Sequence, residues 1–146
     1  MSTLKNNTLV SEVMLVLDRA PLVYEESILK EAMEEMGRTR LGIVCVVDAD
    51  KKLLGILTEG DIRRKLLKVQ KPFSAFLIDD ALEHANRMPT TIKPDDTLVR
   101  AVELMEEKLI WDLPVVDHEG TLVGLLHLHP AVQALLGTPR VRIVVP

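Results

Sequence analysis

The sequence predicts an α/β fold assembled from two copies of one β-α-β-β-α unit. Three observations carry that expectation. The chain matches itself without a gap when Gly55 is laid on Gly124, an offset of 69 positions. Each copy holds a continuous apolar, β-branched run, a turn, and a second apolar run. Ahead of the first run, apolar residues recur at helical spacing.

The matches are spread as a fold requires. Leu29, Ala32, Glu34 and Met36 fall on Leu98, Ala101, Glu103 and Met105, and Val46-Val47-Asp48 falls on Val115-Val116-Asp117. Leu53, Gly55 and Leu57 fall on Leu122, Gly124 and Leu126, and Leu66-Leu67 on Leu135-Leu136.

Each element follows in order. A short extended piece, Leu22-Val23 or Thr91-Ile92, leads to a helix-start signal at Ser27 or Asp96. The helix then shows Ile28, Leu29, Ala32, Met33 and Met36, or Leu98, Ala101, Val102 and Met105. Ile43–Val47 and Leu113–Val116 read as buried strands. Turns over Asp48–Lys51 and Asp117–Gly120 join them to Leu53–Thr58 and Leu122–His127 as hairpins. A last helix ends each copy near Leu67 or Leu136. Amphipathic lead-ins, Val10–Met14 and Ile78–Leu82, precede the copies. Gln70–Ser74 is the expected linker, where Pro72 should interrupt the preceding helix. The expected organisation is therefore residues 9–68, a linker at 69–77, residues 78–137, and a strand-like tail at 138–146.

Composition narrows the function. A net charge of -4 and only 3% aromatic residues argue against nucleic acid, which needs basic and stacking surfaces. The single Cys45 builds neither a disulfide framework nor a cysteine-rich zinc site, and it fits a reducing cytoplasm. No apolar run is long enough for a membrane helix, and residues 1–7 lack a signal-peptide pattern. A cytoplasmic location without membrane contact is the expectation.

Val46-Val47-Asp48, a turn, and Leu53-Leu54-Gly55-Ile56-Leu57-Thr58-Glu59-Gly60-Asp61 together resemble a cystathionine-β-synthase (CBS) domain. Leu113-Pro114-Val115-Val116-Asp117 and Leu122-Val123-Gly124-Leu125-Leu126-His127 repeat the pattern, so the whole resembles a tandem CBS pair, or Bateman module. Thr58–Arg64 and Leu126–His129 are similar to the CBS pair attached to arabinose-5-phosphate isomerases, and sugar nucleotidyltransferases with appended CBS pairs share the first-half pattern. The 146 residues leave no room for either catalytic domain. The resemblance implies two repeats packed sheet against sheet, ligand clefts between them, a homodimer, and regulation without catalysis. The implied ligand is AMP, ADP, ATP or S-adenosylmethionine, with a sugar nucleotide second; no cofactor or metal is implied. A protein partner bearing a catalytic domain is also implied. The alternative is a dimeric assembly module with vestigial clefts, serving a sugar-phosphate enzyme.

The residues themselves allow two chemistries at Thr58–Arg64. A helix opening over Gly60-Asp61-Ile62 suits a phosphate, Asp61 suits the vicinal hydroxyls of a ribose, and Arg63 or Arg64 suits a phosphate charge. The same spacing also makes a capping box, with Thr58 capping and Asp61 reaching back. The resemblance assigns Leu22, Val23, Ile43 and Cys45 to the pocket lining; packing in the core is the alternative for each. The second copy places His127 and Pro130 where the first has Thr58 and Asp61, so an equivalent ribose clamp is lost. That cleft would be empty, or would use Thr91, Asp112, His127 and His129. His127 and His129 would share one strand face, with His118 near in sequence, yet a third and fourth metal ligand are not evident. Trp111 aligns with Gly42 at a strand entry, where it could cover a cleft or a dimer contact, though the core is its expected place; Gly55, Gly60 and Gly124 are expected at turns and junctions.

Overall fold

A computed structural model describes residues 7–137. The order is β1 (Leu15–Val16), β2 (Leu22–Tyr24), α1 (Leu29–Thr39), β3 (Ile43–Val47), β4 (Leu53–Thr58), α2 (Glu59–Lys68), α3 (Phe73–Leu77), α4 (Ala81–His84), α5 (Leu98–Lys108), β5 (Asp112–Val116), β6 (Leu122–His127) and α6 (Leu128–Leu136). Single 3-10 turns occupy Val10–Glu12 and Leu17–Arg19. The tail expected at 138–146 lies outside the described residues.

Two three-stranded sheets result, ordered β2-β3-β4 and β1-β6-β5. Alternation along β3 explains why its apolar run is continuous. Ile43, Cys45 and Val47 face a core shared between the sheets with Val116, Leu122 and Leu125. Val44 and Val46 point the other way, onto Leu29, Ala32 and Met36 of α1. Both faces are buried, so neither can be polar.

The lead-ins are exchanged between copies. Val10 is fully buried in the second-half core beside Leu98 and Ala101. Its N–H donates to the Asp96 carbonyl at 2.9 Å, and Leu98 N–H donates to Thr8 at 2.8 Å. Conversely, Leu29 N–H donates to Asp79 at 2.8 Å, and Ala81 N–H to Ser27 at 2.9 Å. Phe76 and Ala81 fill the first-half core. Each copy is completed by a segment that precedes the other in sequence.

The stretch read as a linker is mostly structural. α2 ends at Lys68, before Pro72, which is the N-cap of α3 and carries the chain to the fully buried Phe76. Helices α1 and α5 start one residue later than the signals suggested, with N-caps at Ile28 and Thr97. Ile28 has no side-chain acceptor; instead the Glu31 carboxylate accepts its N–H at 2.9 Å.

The second copy lacks a full counterpart of β2, and Pro114 explains why. β2 runs parallel to β3 over three residue pairs, and Cys45 N–H donates to the Pro21 carbonyl at 2.9 Å. Pro114 stands at the position of Cys45 and has no N–H to give. Ile92 therefore makes only an isolated parallel bridge to Val115.

Candidate functional site

The gapless duplication places equivalent positions of the two copies around one cleft of about 590 Å³. Gly42, Ile43 and Thr58 line one side, and Trp111, Asp112 and His127, each 69 positions later, line the other. The hydrogen bonding repeats as well: Glu59 N–H donates to the Gly42 carbonyl at 3.0 Å, and Leu128 N–H to the Trp111 carbonyl at 2.8 Å. Asn86 and Thr90, from the segment after α4, border the cleft. Backbone symmetry builds the cleft, and side chains make it unequal.

On the first-half wall, β4 delivers Thr58 to the start of α2. The hydroxyl of Thr58 accepts the Asp61 N–H at 3.1 Å, so Thr58 caps the helix. The reciprocal half of a capping box is absent. The Asp61 carboxylate accepts instead from Arg64 Nη2 at 2.8 Å. Asp61 and Arg64 line an adjoining cavity of about 240 Å³ with Lys65, Lys68 and His84, which meets the main cleft at Asn86. Arg63 opens instead into a groove between α1 and α2, with Met33, Met36 and Leu66.

Of the four apolar lining candidates, Ile43 borders the cleft. Val23 packs under α1 in the first-half core, and Leu22 donates its N–H to the Glu35 carboxylate at 3.2 Å. Cys45 is fully buried between the sheets; burial, with the Asp112 charge nearby, pushes its thiol up to about 12.

The second-half wall carries a hydrogen-bonded carboxylate–imidazole pair. Asp112 and His127 are directly opposite in the β5/β6 ladder, and Nδ1 of His127 lies 2.8 Å from Asp112 Oδ1. The corresponding pair in the first half is Ile43 and Thr58. The hydrogen bond to Asp112 raises the His127 pKa above its usual value against the opposing effect of burial. His129 lies on α6 rather than on the strand, so the His-x-His pair is split between two elements. It lines a neighbouring cavity of about 360 Å³ shared with Trp111 and His127. His118 is exposed, 3.7 Å from Asp95. Thr91 is half-buried, and the adjacent Thr90 takes the place on the cleft border.

Trp111 is 69% exposed and stands on the cleft wall, the alternative that its alignment with Gly42 allowed, rather than in the core. It occupies the position of Gly42, where the first half has no side chain. Sequence reasoning did not single out Arg40, Gly42, Asn86 or Thr90. The signal for Gly42 was available: a cleft on the repeat axis is lined by a residue and its counterpart together.

Among the described residues, one acidic and histidine cluster has ligand atoms within 4.8 Å of one another: Asp79, Glu83 and His84. Lys71 Nζ lies 2.7 Å from Asp79 and already neutralises it, holding its carboxyl below the usual range. Among the described residues no helix is long and apolar enough to cross a membrane.

Comparison with known proteins agrees with this architecture. The chain is 32% identical to the arabinose 5-phosphate isomerase GutQ of Escherichia coli over 117 residues, 80% of this chain and 35% of that protein. It spans about a third of the length of the curated relatives it matches. The CBS domain protein PAE2072 of Pyrobaculum aerophilum, complexed with AMP, superposes with a TM-score of 0.69 at 27% identity, covering 84% of this chain and 88% of that one. CBSX2 in complex with AMP superposes with a TM-score of 0.77 at 23% identity, covering 89% and 97%, and shares the fold. The CBS domain family itself matches twice, at residues 10–68 and 80–129, which together make up most of the sequence: the chain belongs to the CBS domain family, as a tandem pair.

Proposed function

We propose that this CBS pair is a regulatory module that binds an adenosyl nucleotide in the cleft between its copies and carries out no catalysis of its own. The observation that carries this reading is the first-half wall. There Thr58 and Gly60, at the start of α2, face the same cleft as the apolar Ile43 and Ile56. An apolar wall beside a few convergent polar groups suits a base and a phosphorylated ribose. Thr58 uses one lone pair in capping and keeps its O–H for a ligand oxygen. The AMP complex of PAE2072, a relative by fold and sequence, points to the same ligand class.

Asp61 supports the ribose role at a modest conformational cost. Its partner Arg64 is 60% exposed at the side chain, so it can swing aside and offer its charge to a phosphate. A sugar nucleotide is the second ligand class, motivated by the likeness to GutQ. On the same ground, the partner that reads this module would bear a sugar-phosphate catalytic domain. Leu67 is 81% and Leu136 49% exposed at equivalent positions on α2 and α6, which supports a homodimer, and we place the protein in the cytoplasm.

The competing reading is a dimeric assembly module with vestigial clefts. Pro130, standing where the first copy has Asp61, favours it. Thermal unfolding of the wild type and Asp61→Ala with AMP, ADP, ATP, S-adenosylmethionine and cytidine- or uridine-linked sugars decides between them. A ligand at a hundred times its Kd stabilises the folded state by about 2.7 kcal/mol. A shift for one ligand that weakens in Asp61→Ala supports sensing. A chain indifferent to the whole panel is an assembly module.

A further inference from the structure

The Asp112–His127 pair gives the cleft a polarity that its first half lacks. The two residues face each other across the β5/β6 ladder, at the register position held in the other copy by Ile43 and Thr58. Both line the cleft, and the side chains are 15% and 29% exposed, so the ring reaches solvent over a shielded carboxylate. A carboxylate only accepts, so the hydrogen bond at 2.8 Å commits a proton to Nδ1. That fixes what Nε2 can be. In the neutral ring Nε2 has no proton and accepts; in the charged ring it carries N–H and donates.

We propose that His127 adds a proton-dependent phosphate contact to the cleft, binding a phosphoryl oxygen through Nε2–H when the ring is protonated and turning into an acceptor when it is not. This rests on the nucleotide reading above and adds to it a proton: each phosphorylated ligand binds with uptake at His127, while an unphosphorylated nucleoside binds without it. A phosphoryl oxygen and a bare Nε2 are both acceptors, so the neutral ring repels the group that the charged ring holds.

The charges around His127 leave it as the switching group. Asp112 faces it from β5, Arg40 from the end of α1 and Glu59 from the start of α2, the last two exposed and of opposite sign. Cys45 on β3 lies behind Asp112, its thiol kept neutral by burial. His129 on α6 borders the adjoining cavity, so it requires its own control.

The test is calorimetric titration of the full chain with AMP and with adenosine, in buffers of different ionisation enthalpy, from pH 7 to 9. A phosphate has its second pKa at about 6, so AMP is already almost wholly dianionic across that window. The expected result is proton uptake on AMP binding by the wild type and by His129→Gln, and none by His127→Gln. AMP affinity should fall by up to about tenfold per pH unit above the folded pKa of His127, with adenosine affinity flat. Asp112→Asn, which keeps the ring and removes its charged partner, should move the fall to lower pH. AMP binding with the same pH profile and proton count in wild type and His127→Gln overturns the proposal while leaving nucleotide binding intact. Failure of AMP and of every other nucleotide in the panel above to bind the wild type at any pH overturns both.

Discussion

A Cβ placed on Gly124 would lie 2.4 Å from the carbonyl oxygen of Leu15, because β1 is laid directly against β6 at that residue. Gly55 repeats the relationship in the other copy: a Cβ there would lie 2.8 Å from the Asn86 carbonyl oxygen, and Asn86 exchanges both backbone hydrogen bonds with Ile56. These glycines sit inside strands, not at turns or junctions. Each one admits the segment that crosses over from before the other copy. A methyl group would push backbone from backbone, so Gly124→Ala should cost about 3 kcal/mol and Gly55→Ala somewhat less, in the usual range for overpacking. Urea denaturation of the two variants checks this. Wild-type midpoints would mean that the crossing segments are loosely held.

The exchange also predicts a large effect from a residue between the copies. Phe76 is fully buried against Ala81 in the first-half core and touches the His84 ring, with centroids 4.9 Å apart. Phe76→Ala should destabilise by about 3–5 kcal/mol, as deletion of a buried aromatic does. A true linker residue would change stability by less than about 0.5 kcal/mol.

Much of this fold was legible because the duplication, the strands and the helices are local patterns. Ile43–Val47 reads as a doubly buried strand from composition alone, and it is one. The exchange was not legible, since the lead-ins Val10–Met14 and Ile78–Leu82 are amphipathic whichever copy they pack against. Nor was the loss of β2's counterpart read from Pro114, although its missing N–H was in view. At the site, the even choice between cap and ligand contact for Thr58–Asp61 could not be settled by spacing, because both chemistries use the same intervals. The asymmetry between Thr58 and His127 was visible. That both face one cleft depends on how the sheets pack, which no local pattern encodes.

Thr58 and Asp61 should now separate in their effects. Thr58→Ala removes the acceptor for the Asp61 N–H and should cost about 1 kcal/mol of stability with or without ligand. Asp61→Ala removes only a partly exposed ion pair with Arg64 and should change stability by a few tenths of a kcal/mol. Chemical denaturation without ligand measures both. A loss from Asp61→Ala as large as that from Thr58→Ala would mean that Asp61 is part of the cap after all.

Cys45 should report opening of the whole module. It is fully buried in the core shared by the two sheets, and its thiol is pushed up to about 12, so the native chain offers neither access nor thiolate. Labelling by a disulfide reagent at pH 8 should be at least about a thousandfold slower than in the urea-unfolded chain, as for a site exposed only by global opening. Rapid labelling would show that the sheets part locally.

Stability should fall on the alkaline side through the same pair that shapes the cleft. The Asp112 hydrogen bond raises the folded pKa of His127 above 6.5, so the charged ring is favoured more in the folded chain than in the unfolded one. For a raised pKa, the added stability is complete below the unfolded value and is lost as pH rises through the folded value. Asp79 works with the opposite sign. Lys71, and then His84, lower its pKa below 3.8, so its contribution is present above that value and is lost as pH falls through the depressed one. Melting temperatures from pH 3 to 9 should therefore decline at both ends. His127→Gln should flatten the alkaline decline alone, and Lys71→Met should weaken the acid one. If His127→Gln leaves the alkaline limb unchanged, the Asp112 pair contributes nothing to folding, and any pH effect at His127 must arise from the ligand.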